Sequence, residues 1–143
     1  MPHEEAYCPP DPPVMPYLSV DRGHEALDWY RRALAAVENN RFDMEDGRLG
    51  HAMMTLGNGG AIYLADDFPE MGETVGVRPP PTLGGSSVTV ALAVDDVDAW
   101  MARAVAEGAE VIRPAQDEFY GRHGKLRDPF GHVWSFTGPL KGA

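Results

Sequence analysis

The chain has 143 residues, with 22 acidic and 12 basic side chains and a formal net charge of -10. A domain of that length buries a sizeable core, and its acid excess excludes a partner that requires a basic face, whether nucleic acid or an anionic membrane surface. A single cysteine, Cys8, rules out an internal disulfide and fits a reducing cytoplasm. No run approaches the ~18 apolar residues of a membrane span, and "MPHEEAYCPP" carries acids where a secretory leader has a basic start and an apolar stretch.

Residues 1–13 hold Pro9, Pro10, Pro12 and Pro13, which favour an extended tail. His3 and Cys8 fall in it and do not read as a site. Val14–Val20 reads as a strand, with Asp21 as a helix N-cap candidate. Ala26, Leu27, Tyr30, Ala33, Leu34 and Val37 then recur at three and four, the stripe of a helix packed on a sheet. Three strands follow, at about 38–44, 48–56 and 61–65, separated by Asp46-Gly47 and Asn58-Gly59-Gly60, both turn-forming sequences.

From Asp66 to Ser87 the periodicity stops, in a stretch rich in Pro, Gly and charge. It reads as a linker between halves or as a lid. Val88–Val94 is the next strand. Asp95-Asp96 caps a helix with Val97, Trp100, Met101, Ala104 and Val105 on one stripe, closed by Gly108. A short strand at Glu110–Arg113 precedes a hairpin, Arg122–Arg127 and His132–Thr137, turned by Asp128-Pro129-Phe130-Gly131. Residues 138–143 form a short tail.

A shift of 74 lays the first half on the second: Val20-Asp21 on Val94-Asp95, Leu27 on Met101, Val37 on Val111, and Gly47-Arg48-Leu49-Gly50 on Gly121-Arg122-His123-Gly124. Each half is β-α-β-β-β, a pattern distinct from solenoid repeats, which are shorter and more numerous. The expected architecture is α+β, with two βαβββ modules forming a curved mixed sheet around a cavity. Module one spans 14–65, the linker 66–87 and module two 88–137, in a single domain.

Strand alternation sorts residues into a helix-covered face and a cavity face. Met15, Tyr17, Ser19, His51, Met53, Thr55, Tyr63 and Ala65 fall on the cavity face of the first half. Ser87, Thr89, Ala91, Ala93, Val133 and Ser135 do so in the second, while Val88, Val90, Leu92, Val94, Trp134 and Phe136 are expected under the helix. The repeat sets Lys125 opposite His51, and Arg127 opposite Met53. The ligand-binding candidates are Met15, Tyr17, His51, Met53, Tyr63, Thr89 and Ser135. Methionine adapts to irregular apolar shapes, tyrosine adds a polar handle to a ring, and His51 is the catalytic candidate because imidazole suits proton transfer near neutrality. Arg122, Arg127 and Asp128 are expected to brace the hairpin as ion pairs, with His123 and His132 facing solvent. No phosphate-binding glycine loop, Cys-x-x-Cys pair or nucleophile elbow is present.

"PYLSVD", "ALDWYRRAL", "VDDVDAWMARAVAEGAEVIRP" and "FYGRHGKLRDPFGHVWSF", in this doubled plan, resemble the vicinal oxygen chelate superfamily of glyoxalase I, bleomycin- and fosfomycin-resistance proteins and extradiol dioxygenases, and its PhnB-like branch in particular. The resemblance implies a homodimer. In metal-binding members, His or Glu ligands come from the first and last strands of each module. Here those positions fall on Met15, Tyr63 or Leu64, Thr89 and Ser135, so no metal and no other cofactor is expected. The function implied is metal-independent binding of an apolar or aromatic small molecule, as in drug or metabolite sequestration. The alternative is a lyase- or isomerase-type enzyme using His51 and a tyrosine for acid–base catalysis.

Overall fold

A computed structural model describes residues 11–142. The expected extended tail at 1–10, with His3 and Cys8, lies outside the described residues.

The first module runs β1 (Tyr17–Val20), α1 (Gly23–Ala33), β2 (Val37–Asp43), β3 (Leu49–Thr55) and β4 (Ala61–Asp66). A connector with a 3-10 turn at Pro69–Thr74 and the short helix α2 (Pro80–Leu83) follows. The second module is β5 (Thr89–Ala93), α3 (Val97–Ala106), β6 (Glu110–Glu118), β7 (Gly121–Arg127) and β8 (Val133–Gly138). Each module makes its own four-stranded mixed sheet, in the orders β1-β4-β3-β2 and β5-β8-β7-β6. In both, the first strand pairs parallel to the last and the other pairs are antiparallel. Among the described residues no helix is long and apolar enough to cross a membrane.

The helices form where the apolar stripes predict them. Ala26, Leu27, Trp29, Tyr30 and Ala33 are buried along α1, and Val97, Met101 and Ala104 along α3. Asp96 caps α3 as expected, its Oδ1 accepting from Ala99 N at 3.1 Å. Asp21 does not cap α1. That role falls to Asp66 at the end of β4, read from sequence as the first residue of the linker. Its carboxylate accepts from Gly23 N at 2.6 Å and Leu49 N at 2.7 Å, a position favoured by the helix dipole as well as by the orphan amide.

Three strand boundaries differ from expectation for local reasons. β1 starts at Tyr17, after Pro16, and leaves Met15 ahead of the sheet. Val88 stands outside β5 and is 60% exposed, so it does not pack under the helix. β6 continues through Pro114 to Glu118, because the strand lies at the sheet edge and register shifts flank the proline; edge strands and bulges are where a missing N–H is tolerated.

The two modules share one core. Leu18, Leu27, Tyr30, Met54 and Leu64 from the first join Leu92, Met101, Leu126, Phe130, Trp134 and Phe136 from the second. α1 packs on α3, and each helix also packs on strands of its own sheet. Trp29 Nε1 donates to Glu107 O at 2.7 Å, and Arg103 Nε to Arg32 O at 2.6 Å. Burying Phe130 and Phe136 alone contributes about 1.5–3 kcal/mol each.

At the centre of that interface sits a carboxylate. Asp128 is 3% exposed. It accepts from Tyr30 Oη at 2.5 Å, Trp134 Nε1 at 2.8 Å, Phe130 N at 2.9 Å and His132 N at 3.0 Å. The expected hairpin brace by Arg122, Arg127 and Asp128 is therefore not formed. Arg122 instead pairs with Asp98 at 2.6 Å and Asp117 at 3.2 Å, and Arg127 with Glu110 at 3.1 Å. Burial first, then the Asp128 charge, pushes the Tyr30 phenol well up, so it stays protonated and donates.

The repeat changes register inside the modules. α1 and α3 begin 74 residues apart, but α3 is one residue shorter. In the sheets, Met53 pairs with Tyr63 as Lys125 pairs with Ser135, and Ala52 with Leu64 as Gly124 with Phe136, an offset of 72. His51 thus corresponds to His123 and Met53 to Lys125, not to Lys125 and Arg127.

Asp128→Ala strands four donors in the core and is expected to destabilise the fold by about 3 kcal/mol in urea denaturation, whereas Tyr30→Phe, which removes only one of them, costs about 1 kcal/mol. Equal and small losses would contradict Asp128 as the hub.

Candidate functional site

Alternation along β1, β4 and β3 turns Leu18, Leu64, Ile62, Ala52 and Met54 into the core, where all are buried. The intervening residues stand on the opposite, open face. Tyr17, Tyr63 and Met53 form one cross-strand row, and His51 lies in the next, paired with Phe42. The rings of Tyr17, His51 and Tyr63 meet edge-on or tilted at 4.9–5.5 Å between centroids. Tyr17 Oη lies 2.7 Å from His51 Nδ1, and Tyr63 Oη donates to the carboxylate of Asp11. Tyr17 remains 52% exposed.

The sequence candidates divide between the two sheets. Tyr17, His51, Met53 and Tyr63 share one face of the first, with Met15 just ahead of it. Thr89 and Ser135 belong to the second, on β5 and β8. Of the two positions read as alternatives, Tyr63 is the one that corresponds to Ser135, since Tyr17–Tyr63 and Ala91–Ser135 are equivalent pairs. Burial raises the Tyr17 phenol, and the hydrogen bond to Asp11, followed by burial, raises that of Tyr63. Both are therefore hydrogen-bonding phenols near neutrality, and neither is poised as a tyrosinate base.

Two clefts flank Tyr17, each of ≈ 340 Å³. One lies under the connector, between Ser19, Gly50 and Ala65 of the sheet and Phe68, Val75 and Val77 above it. The other lies between β1 and Pro80, Leu83, Val88, Val90 and His132. The connector is tethered by Arg48, whose guanidinium lies 4.3 Å over the Phe68 ring and bonds Glu70 at 2.6 Å, and by Arg78 on Asp67 at 2.9 Å. A larger cleft of ≈ 440 Å³ at the start of α1 is walled by Asp21, Arg22, Asp46, Arg48 and Asp66, whose charges are already engaged with one another or with backbone.

Sequence reasoning missed Asp11, assigned to the tail, and the connector residues Phe68, Val75 and Val77. None carries a periodic signal. His123 and His132, expected to face solvent, are half-buried. His132 Nε2 lies 2.8 Å from Ser19 O, and His123 Nδ1 lies 3.1 Å from Thr137 Oγ1.

The donor set does not fit a divalent metal. The positions to which the family resemblance assigns ligands, Met15, Tyr63, Thr89 and Ser135, carry a thioether, a phenol and two hydroxyls, not the carboxylates and imidazoles that usually hold such ions. Among the described residues no three His, Cys, Asp or Glu side chains converge.

The family model of the Glyoxalase/Bleomycin resistance protein/Dioxygenase superfamily matches residues 13–136. An uncharacterized protein of Mycobacterium tuberculosis is 41% identical over 134 residues, covering 92% of this chain and 76% of that protein. Among solved structures, TioX from Micromonospora sp. ML1 has 25% identity and a TM-score of 0.67, over 87% of this chain and 94% of that one. The Bacillus cereus "putative 3-demethylubiquinone-9 3-methyltransferase, PhnB protein" has 15% identity and a TM-score of 0.63, over 88% of this chain and 98% of that one.

Elemental analysis of the purified, tag-free protein is expected to find well under one Zn²⁺, Ni²⁺ or Mn²⁺ per chain, and added divalent ions are expected to leave its melting temperature unchanged; one metal per chain would overturn the donor-set argument. Arg48→Ala is expected to hasten thermolysin cleavage within the connector, before Met71 or Val75, at neutral pH. Arg48 holds the Glu70 carboxyl below its ordinary value, so the tether is complete above the ordinary carboxylate range and weakens as pH falls. Cleavage unaltered by the substitution would show that the connector is held elsewhere.

Proposed function

The chain belongs to the glyoxalase/bleomycin resistance/dioxygenase superfamily, and from that premise we propose that it is a metal-independent binding protein for apolar or aromatic small molecules that works as a homodimer. The superfamily includes enzymes as well as resistance proteins, so the reading rests on the site and not on the fold. The observation that carries it is the open-faced ring cluster of Tyr17, His51 and Tyr63. Three π-faces and Met53 offer a planar apolar ligand a large contact area, and the phenol and imidazole edges orient it. Sequestration needs such a surface and no reacting group.

The dimer is supported by what the single chain leaves uncovered. The helix faces of both sheets are spent on the shared core, and the opposite faces look outward. Val37 and Phe42 are 61% and 62% exposed on the first, and Thr89, Ala91 and Ala93 are exposed on the second. A second copy that sets its second module over the first module of its partner closes both faces. Within the superfamily we assign the chain to the PhnB-like branch on its "DPFGHVW" and "VDDVDA" motifs. The Bacillus cereus PhnB protein supports that assignment through a common fold alone.

A second reading is an acid–base enzyme, favoured by the 2.7 Å contact between Tyr17 Oη and His51 Nδ1. That bond commits Nδ1 and leaves Nε2 as the ring nitrogen available to a substrate. The raised tyrosines weigh against it.

A thermal-shift screen of aromatic compounds is expected to give ligands that are recovered unchanged after incubation at stoichiometric amounts. His51→Ala and Tyr17→Ala are expected to weaken their binding about tenfold while the variants stay folded. The protein is expected to sediment at twice its 15.6 kDa chain mass. Multiple turnover of a hit would replace the binding reading with the enzymatic one, and a monomer would remove the closed site.

A further inference from the structure

The two sheets present equivalent positions of opposite chemistry. Where the first module carries Tyr17, Tyr63 and Met53 in a row, the second carries Ala91, Ser135 and Lys125 in the same register. Lys125 is half-buried on the open face of β7. Its cross-strand neighbours are Ser135 on one side and Arg113 on the other. In a chain with ten more acids than bases, it has no carboxylate partner among the described residues.

The neighbouring charges are accounted for. Arg113 is held by Glu118 at 2.5 Å, and the same carboxylate accepts from Gln116 Nε2 at 2.6 Å. Arg127, in the next row, bonds Glu110 at 3.1 Å. Glu118 is thus occupied, and the Lys125 ammonium is left for an anion from outside. Two further observations point the same way. Ser135 is 5% exposed, and its hydroxyl, on the open face beside Lys125, makes no hydrogen bond within the described residues and so is available to a ligand. His123, one row along, is held below its ordinary value first by burial and then by the nearby Arg113 and Lys125, against the opposing charge of Glu118.

We propose that Lys125, with the Ser135 hydroxyl at its side, is the anion anchor of the ligand site, and that the compound bound is an aromatic acid: a planar ring system carrying a carboxylate. This inference rests on the binding reading above. It places the ring on Tyr17, His51 and Tyr63 of one protomer and the carboxylate on Lys125 of its partner, since the two faces meet only in the dimer. A flexible ammonium of this kind recognises a carboxylate as a point charge, with the hydroxyl adding a directional bond. Thr89, close by on β5, adds a second hydroxyl to the same wall.

The test compares 2-naphthoate with its neutral counterpart, 2-naphthalenemethanol, by titration calorimetry on the full chain at low salt. The acid is expected to bind at least about tenfold tighter than the alcohol, with an advantage that shrinks as ionic strength rises. In Lys125→Met the ratio of the two affinities is expected to fall to near one, and in Lys125→Arg to persist. Lys125→Gln serves if the Met variant does not fold. Tyr17→Ala is expected to weaken both probes together. Equal affinities in the unaltered protein, or a preference that survives Lys125→Met, overturn the anchor and leave the aromatic pocket standing. Failure of both probes to bind at millimolar concentration removes the pocket reading, and the anchor with it.

Discussion

The geometry of this protein depends on one buried carboxylate. Asp128 joins a turn of the second module to Tyr30 on the helix of the first, and holds Trp134 by its indole N–H. An uncompensated charge at that depth would cost several kcal/mol. Four donors converge on this one, two from the turn backbone and two from aromatic side chains. The bond crosses 98 residues of sequence, so it forms only when both modules are folded and docked. Because the docked surfaces are the helix faces, the other face of each sheet is left outward. The fold's central interaction thereby decides which face of each sheet stays open.

That arrangement was only partly legible in the sequence. Periodicity located α1 and α3, and turn residues located most strands, since both reflect local demands on the backbone. The doubled plan was visible because the helices and their flanking strands kept their spacing. The sequence marks Asp128 as a turn-former, and its Oδ1 does accept from Phe130 N and His132 N. Its second role had no local signature, because Tyr30 and Trp134 approach it through tertiary packing. The capping role of Asp66 has no local signature for the same reason. Its last-strand position meets the start of α1 only once the sheet has formed, and Asp21, better placed in sequence, is not used. β6 runs past the short strand expected at Glu110–Arg113 because the sheet order makes it an edge, where Pro114 is tolerated.

The candidate site was legible face by face but not as an assembly. Alternation put Tyr17, His51, Met53 and Tyr63 together, and they are together. It could not register the two halves, because a ten-residue α3 against an eleven-residue α1 and unequal hairpins shift the offset from 74 to 72. The shift matters chemically. It matches Met53 with Lys125 and His51 with His123, so the duplicated wall has diverged into an aromatic half and a cationic, hydroxyl-lined half. A metal would need donors on both walls. Thr89 and Ser135 provide only neutral hydroxyls, and the second wall's charge sits one strand further out, on Lys125.

On the proposed reading, this divergence ties binding to association. A ligand gripped by the rings of one protomer and the ammonium of the other touches both chains, so each binding event stabilises the dimer by the same free energy by which dimerisation tightens the site. The acidic surface bears on the same balance. With a net charge of -10 per chain, association brings like charges together, and an anionic ligand would worsen that repulsion anywhere except beside unpaired cations. On that reading an anion enters beside Lys125 without that cost, since Lys125 has no carboxylate partner among the described residues. A neutral aromatic would fill the same space and leave Lys125 and the Ser135 hydroxyl desolvated against an apolar surface, a loss of the kind that discriminates between ligands of equal shape. The selectivity of the site is thus set less by the rings, which accept any planar compound, than by two polar groups on the opposite wall that are satisfied by an acid and stranded by its neutral counterpart.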